Sequence, residues 1–314
     1  MTKVFFRASD AALDNITAAF DFVHPINVSM RYTRRIITKA LENSPELDLS
    51  DLRKIIDPEN HVHGVNYGRA FVDAGCDAHE ENLAWLLLNN LFAIHEGWAE
   101  RLYEEIFSGY HYKRDTFIKN LEFPGLAEKF TSYYAINGKT SIALDGAFFN
   151  IYQSKSNVDF AKLENYMLCY RVFKEMRNCF MHRNFIASQQ LIDAYDDYLP
   201  VATLDDLGVS EVPIIIAPVL GQPIRLSLRG VIGFSLIVRW IIIISDINLL
   251  RTSAAEKEFF DRIPENWKCK TLSHNPLRAK EQIQGYSSRA GFLKPKWTSD
   301  YQDLLVSRGF FSIK

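Results

Sequence analysis

The stretch Glu81–Phe107, ENLAWLLLNNLFAIHEGWAERLYEEIF, decides the fold class. Leu83, Leu87, Leu91, Ile94, Trp98, Leu102 and Ile106 recur at steps of three and four, so one side of a long helix is apolar and the other polar. The sequence on either side reads the same way. Ser9 and Asp10 suit the cap of a helix from about Ala11 to Phe22, and Pro25 suits the first turn of a second helix running to about Glu42. Between 44 and 80, Pro45, Pro58, Gly64, Gly68 and Gly75 break the pattern into a connector with one short helix, SDLRKIID. Downstream, FIKNLEF and the residues around Phe130–Tyr134 read as shorter helices, with Gly138 and Gly146 marking breaks. Val158–Tyr198 reads as a long helix or a helix pair.

The period changes only once. PIIIAPVLGQPIRLSL, Pro213–Leu228, is rich in β-branched residues, and Gly221-Gln222 between its two apolar runs predicts a short hairpin. VIGFSLIVRWIIIISDINLL, Val231–Leu250, follows and is long enough to span a bilayer. Arg239 near its centre and Asp246 beyond it favour the buried core helix of a soluble protein over a membrane span. No internal repeat or low-complexity segment is present.

Composition agrees with a folded body. Of 314 residues 47% are hydrophobic, and the formal net charge of −2 offers no global attraction to a polyanion or an anionic membrane. The charge is uneven: residues 264–314 carry nine Lys and Arg against four Asp and Glu, a local +5, which leaves the first 263 residues at −7. Cys76, Cys169, Cys179 and Cys269 form no CxxC pair, and MTKVFFRASD lacks the apolar run of a signal peptide. A reducing cytoplasm is the expected setting.

Within Val158–Tyr198 lies RNCFMHRNF, Arg177–Phe185. At about 100° per residue, Phe173, Met176 and Phe180 continue an apolar stripe from Leu163, Tyr166 and Tyr170. Arg171, Glu175, Asn178 and His182 cluster on the opposite side, and Arg177 lies at the border, from where it can swing towards His182. The plain reading of this ridge is a solvated face with an Arg171–Glu175 ion pair. The form of the motif argues for more. Arg177-Asn178-x3-His182 resembles the Arg-x4-6-His signature of the HEPN superfamily, helical bundles whose motif sits on a long helix after an earlier amphipathic one. Trp85–Phe107 resembles that earlier helix and Phe160–Tyr198 the motif helix.

The resemblance implies a mainly α fold: a HEPN-like helical domain over residues 80–262, an N-terminal helical extension and connector over 1–79, a basic C-terminal tail over 263–314, and the small hairpin as an insertion. It also implies an endoribonuclease that needs no metal and no cofactor. RNA supplies its own nucleophile, the 2′-hydroxyl. A histidine titrating near neutrality can move the proton and an arginine fork can hold the phosphate. His182 is then the acid or base, Arg177 the clamp and Asn178 the orienting group, with Glu175 beside them; the products are a 2′,3′-cyclic phosphate and a 5′-hydroxyl. Family members pair two motifs across one cleft, so a homodimer with a composite site is expected, bound to RNA and restrained by an antitoxin or regulatory protein in a toxin or antiviral-defence setting. Two departures stand out. Some HEPN toxins carry Tyr two residues after the His, where this chain has Asn184, and the Glu-x3-Lys-Arg element of others appears as Glu96-x3-Glu100-Arg101, which leaves Glu96 and Arg101 supporting roles. The alternative is a non-catalytic HEPN-like scaffold, an antitoxin or immunity partner, and a third reading is a nucleic-acid regulator working through the basic tail.

Three other signals carry less. His61-x-His63 with Cys76-x2-His79 holds zinc-capable ligands, but at no standard spacing. Gly138-Lys139-Thr140 lacks the first glycine of a phosphate loop, Tyr133 standing in its place. Trp267, Tyr286, Phe292, Trp297 and Tyr301 could stack on RNA bases or pack the tail onto the bundle.

Overall fold

The apolar period of residues 81–107 is realised in a helix that starts even earlier, Cys76–Phe107 (α3). In the computed structural model, which describes residues 3–59, 61, 63, 64, 66–107, 140–253, 255–263 and 270–313, the protein is mainly helical. Before α3 come α1 (Arg7–Asn43), α2 (Leu49–Ile56) and a π turn, Arg69–Asp73. After it come α4 (Ile142–Leu144), a π turn over Asp145–Phe149 that contains Gly146, and α5 (Asn150–Ser156). The helix pair is α6 (Leu163–His182) and α7 (Gln189–Tyr198), followed by the short α8 (Leu204–Leu207). Then come α9 (Leu228–Leu249), α10 (Ala255–Arg262), β1 (Lys270–Leu272), α11 (Pro276–Arg289), α12 (Ser299–Ser307) and β2 (Phe311–Ile313). FIKNLEF and Phe130–Tyr134 lie outside the described residues, as do Gly138 and Lys139.

The centre is a three-helix layer of α3, α6 and α9. Phe173 stacks on Phe234 with ring centroids 4.3 Å apart, and Phe92 touches both Phe234 and Tyr170. Helix α9 has the length and apolarity of a membrane span, yet 72% of its most apolar window is buried inside the protein. The buried side chains of all three sequence segments join one cluster that runs from Val4 to Phe311.

The amino-terminal region departs from expectation. One helix, α1, runs unbroken through Pro25 and begins at Arg7, before Ser9 and Asp10. Pro25 is exposed, so water can take the Asp21 carbonyl that has lost its donor, while Val23 on the other side is buried. The start of α1 has no side-chain cap of its own. Two carboxylates from distant helices substitute: Asp246 of α9 accepts from the Phe5 and Phe6 N–H groups at 2.6 and 2.9 Å, and Glu105 of α3 accepts from Ala8 N–H at 2.9 Å. These bonds explain how an acid comes to lie buried in an otherwise apolar helix.

The predicted hairpin is absent: residues 213–227 hold no strand, only a turn in which Gln222 N–H donates to Val219 O. Pro213, Pro218 and Pro223 each remove a ladder donor. The segment instead straps across the start of α9. A Cβ on Gly230 would lie 2.1 Å from the Ile214 carbonyl oxygen, and one on Gly233 3.1 Å from the Pro213 Cα, so these two glycines admit its backbone. Its far end pairs with the residues after α6: Gly221 N–H donates to Ala187 O, Ala187 N–H to Gln222 O and Ile224 N–H to Phe185 O. Among the described residues the one sheet is the parallel pair β1–β2.

The C-terminal residues pack on the bundle. Phe292 and Tyr301 are fully buried against Phe148 and Phe259, so neither ring is available to a nucleobase. Tyr286 and Trp297 are half-buried against the same core, and Trp267 lies outside the described residues.

Candidate functional site

The α6 ridge is shorter than the helical wheel indicates. Arg171 is only 6% exposed, because α7 folds back over this end of α6 and brings Asp197 to 3.9 Å from its Nη1. Burial works against its charge, while Glu175, Asp197 and Asp193 favour it. The solvent-facing ridge therefore begins at Glu175, whose Oε2 accepts from Asn178 Nδ2 at 3.3 Å.

Arg177 does not turn along its own helix towards His182. It crosses to α3, where its Nη1 lies 3.5 Å from Glu96 Oε1 and its guanidinium carbon 5.9 Å from the centre of the Phe92 ring. Both partners of the pair are partly exposed, and the Arg177 Nε is buried with no hydrogen-bond partner among the described residues. The structure thus brings Glu96 to the motif. Arg101 goes elsewhere: five residues on, about 140° around α3, it is exposed beside a groove of about 250 Å³ between α1 and α3.

His182 is the last residue of α6 and is exposed, with no hydrogen bond to another described residue. The turn that follows is strained. Asn184 and Phe185 have φ of 48° and 67°, the left-handed region that bulky L-residues avoid at a cost on the order of 1–3 kcal/mol. Aromatic packing holds it: Trp85 stacks on Phe180 at 5.0 Å, and Phe185 sits edge-on to both, while Phe185 N–H donates to Cys179 O. Under this turn a groove of about 380 Å³ opens, lined by Glu81, Asn82, Trp85, Asn184, Phe185 and Pro223 among others.

Beneath the site lies a residue that sequence reading overlooked. His95, beside Glu96, is fully buried, and its Nδ1 is 3.1 Å from the Tyr170 hydroxyl. Burial, helped by the Lys174 charge, pushes its pKa down to about 3, so the ring is neutral. Its position four after Leu91 and three before Trp98, on the apolar stripe of α3, was the available signal.

Around the zinc-capable residues, His61 lies against Asp57 and Glu59, and the His79 ring nitrogen donates to the Ala70 carbonyl. No group of three or more His, Cys, Asp or Glu converges for a metal among the described residues. In the sequence GKT, Thr140 forms an isolated bridge with Thr252. Compared with known proteins, the chain matches no family model, no curated protein and no solved structure.

Proposed function

We propose that the chain is a metal-independent endoribonuclease of HEPN type, acting in the cytoplasm as a toxin or defence effector, with Arg177, Asn178 and His182 as its centre. One arrangement supports the reading: an exposed histidine closes a long helix with an asparagine one turn back on the same edge, and the arginine beside that asparagine reaches across to Glu96 of α3. In the reaction His182 removes the proton of a ribose 2′-hydroxyl. The 2′-oxygen forms a bond to the adjacent phosphorus, the bond from phosphorus to the 5′-oxygen breaks, and that oxygen takes a proton from the protonated His182 of a second copy. A 2′,3′-cyclic phosphate and a 5′-hydroxyl result. Arg177, partly exposed beside Glu96, turns from that carboxylate to stabilise the charge on the phosphorane oxygens. The groove under Asn184 and Phe185 has ligand-site volume and offers two amides, Asn82 and Asn184, to a base edge.

Purified protein should cleave RNA in EDTA, and His182→Ala should slow cleavage by about 10²–10⁴-fold. Fragments ending in 3′-hydroxyls, or cleavage that vanishes in EDTA and returns with Mg²⁺, overturn the mechanism. The half-buried Arg177–Glu96 pair also fits the scaffold reading, in which it is structural. In that case expression of the wild-type chain and of His182→Ala is tolerated equally by the host, whereas the ribonuclease slows growth and its variant does not.

A further inference from the structure

Helix α1 has 37 residues, about 55 Å at 1.5 Å per residue. Its inner stripe, including Ala12, Ile16, Ala19 and Val23, is buried against the bundle. Its second half carries another apolar stripe that faces solvent: Phe22 is 68% exposed, Val28 66%, Tyr32 60% and Ile36 40%. At 100° per residue these four and Pro25 lie within an arc of about 120°. They expose on the order of 400–500 Å² in one strip, towards the upper end of the largest patch usual on a monomer.

The charges along the same side are divided. Residues 7–22 of α1 hold Asp10, Asp14 and Asp21 against Arg7, which is paired with Glu258. Residues 23–43 hold Arg31, Arg34, Arg35 and Lys39 against Glu42. Arg31 is taken by Glu80 and Arg34 by the Ala74 carbonyl, which leaves Arg35 and Lys39 exposed with no ion-pair partner among the described residues. Beside the acidic half, α1 and α9 frame a groove of about 380 Å³ with Asp10 and Asp14 on its rim and Leu236, Trp240 and Ile243 along its floor. Arg239 in that groove donates to Thr17 Oγ1 at 2.6 Å and faces Asp14, so the excess charge there is negative.

We propose that this face binds a second copy of the chain, the two α1 helices crossing antiparallel about a two-fold axis near Pro25–Val28. Each acidic half then lies along the basic half of the other copy, and Tyr32 and Ile36 of each copy cover the apolar floor of the other's groove. One patch complements itself, as a two-fold interface requires. The strip alone falls short of the roughly 800 Å² per partner of a standard interface, and the groove together with the charged side chains flanking the strip must supply the rest. The surface shares no residue with Arg177, Asn178 and His182, so it is an interface distinct from the one that pairs two motifs in the ribonuclease reading, and Met181→Glu on the exposed α6 edge separates the two.

Light scattering of the full chain at micromolar concentration tests it, with circular dichroism to confirm folding of each variant. With pairing through the α6 edge blocked by Met181→Glu, the chain should still be a dimer, and adding Val28→Glu, at an exposed position, should make it a monomer. Asp14→Lys with Asp21→Lys should weaken association at least tenfold, as should Arg35→Glu with Lys39→Glu, and the chain carrying all four changes should recover it. A Met181→Glu chain that is monomeric, a Met181→Glu dimer indifferent to Val28→Glu, or a quadruple variant that fails to recover each overturns the proposal.

Discussion

Replacing Asp246 with Asn tests what the buried carboxylate of α9 does. Burial pushes its pKa up to about 7 from an ordinary 3.8, in spite of the N–H groups of Phe5 and Phe6 that it accepts. A folded-state pKa above the unfolded one means the native protein holds the proton more firmly. The stability this supplies is full below about pH 4 and is lost as pH rises through about 7. Between pH 5 and pH 8 the loss is about 2.5 kcal/mol, taking 1.36 kcal/mol per pH unit across the part of the window below the folded pKa. Asn keeps one acceptor for the two N–H groups and turns its amide hydrogens towards the other, which should cost about 1–3 kcal/mol at every pH. Denaturant melts of both proteins should therefore show Asp246→Asn clearly weaker at pH 5 and equal to or stronger than wild type at pH 8. Glu258, also pushed to about 7 by burial and by Glu105, is common to both chains and cancels in the difference. A penalty that grows with pH would mean the carboxylate is ionised in the native state and the two short N–H bonds outweigh burial.

Three further outcomes follow from the structure. Gly230→Ala sets a methyl against the Ile214 carbonyl, so the 213–227 strap must shift; melting should fall by the equivalent of at least 1–3 kcal/mol, and protease should cut between 213 and 223 sooner than in wild type. His95→Leu removes a group held neutral well below its ordinary pKa, so the stability that wild type loses as pH falls from about 6.5 towards 3 should be lost less steeply in the variant; parallel acid-melt curves refute this. Glu96→Gln should change stability by under about 1 kcal/mol, because the pair is partly solvated. RNA affinity at low salt should rise as Arg177 is released to phosphate, and a drop would show that Glu96 presents the arginine instead of restraining it.

What could be read from the sequence was whatever a single helix decides for itself. The apolar periods of α3 and α9 announce both helices, and the α6–α7 pair appears as one interrupted pattern, because each must bury a stripe against the others. Features set by a neighbour were hidden. The fate of Arg171 depends on α7 folding over it, and the direction of Arg177 on Glu96 standing one helix away. The β-branched run at 213–220 looks like a strand, but its place is determined by two glycines of α9 and by prolines that deny it a ladder. Pro25 breaks no helix because it faces water, a matter of orientation that local propensity does not record.

The tertiary cap on α1 also has a consequence for the order of events at the ribosome. Phe5 waits for an acceptor 241 residues further along the chain. At about 5–20 residues per second, on the order of ten to fifty seconds separate the synthesis of the donor from that of Asp246. Through that interval the first turn of α1 has no anchor from α9, and Phe5, fully buried in the finished protein, can meet Phe148 and Tyr152 but not yet Phe292. The first turn of α1 is therefore completed only after α9 has been made, which couples the two ends of the bundle in folding as well as in structure.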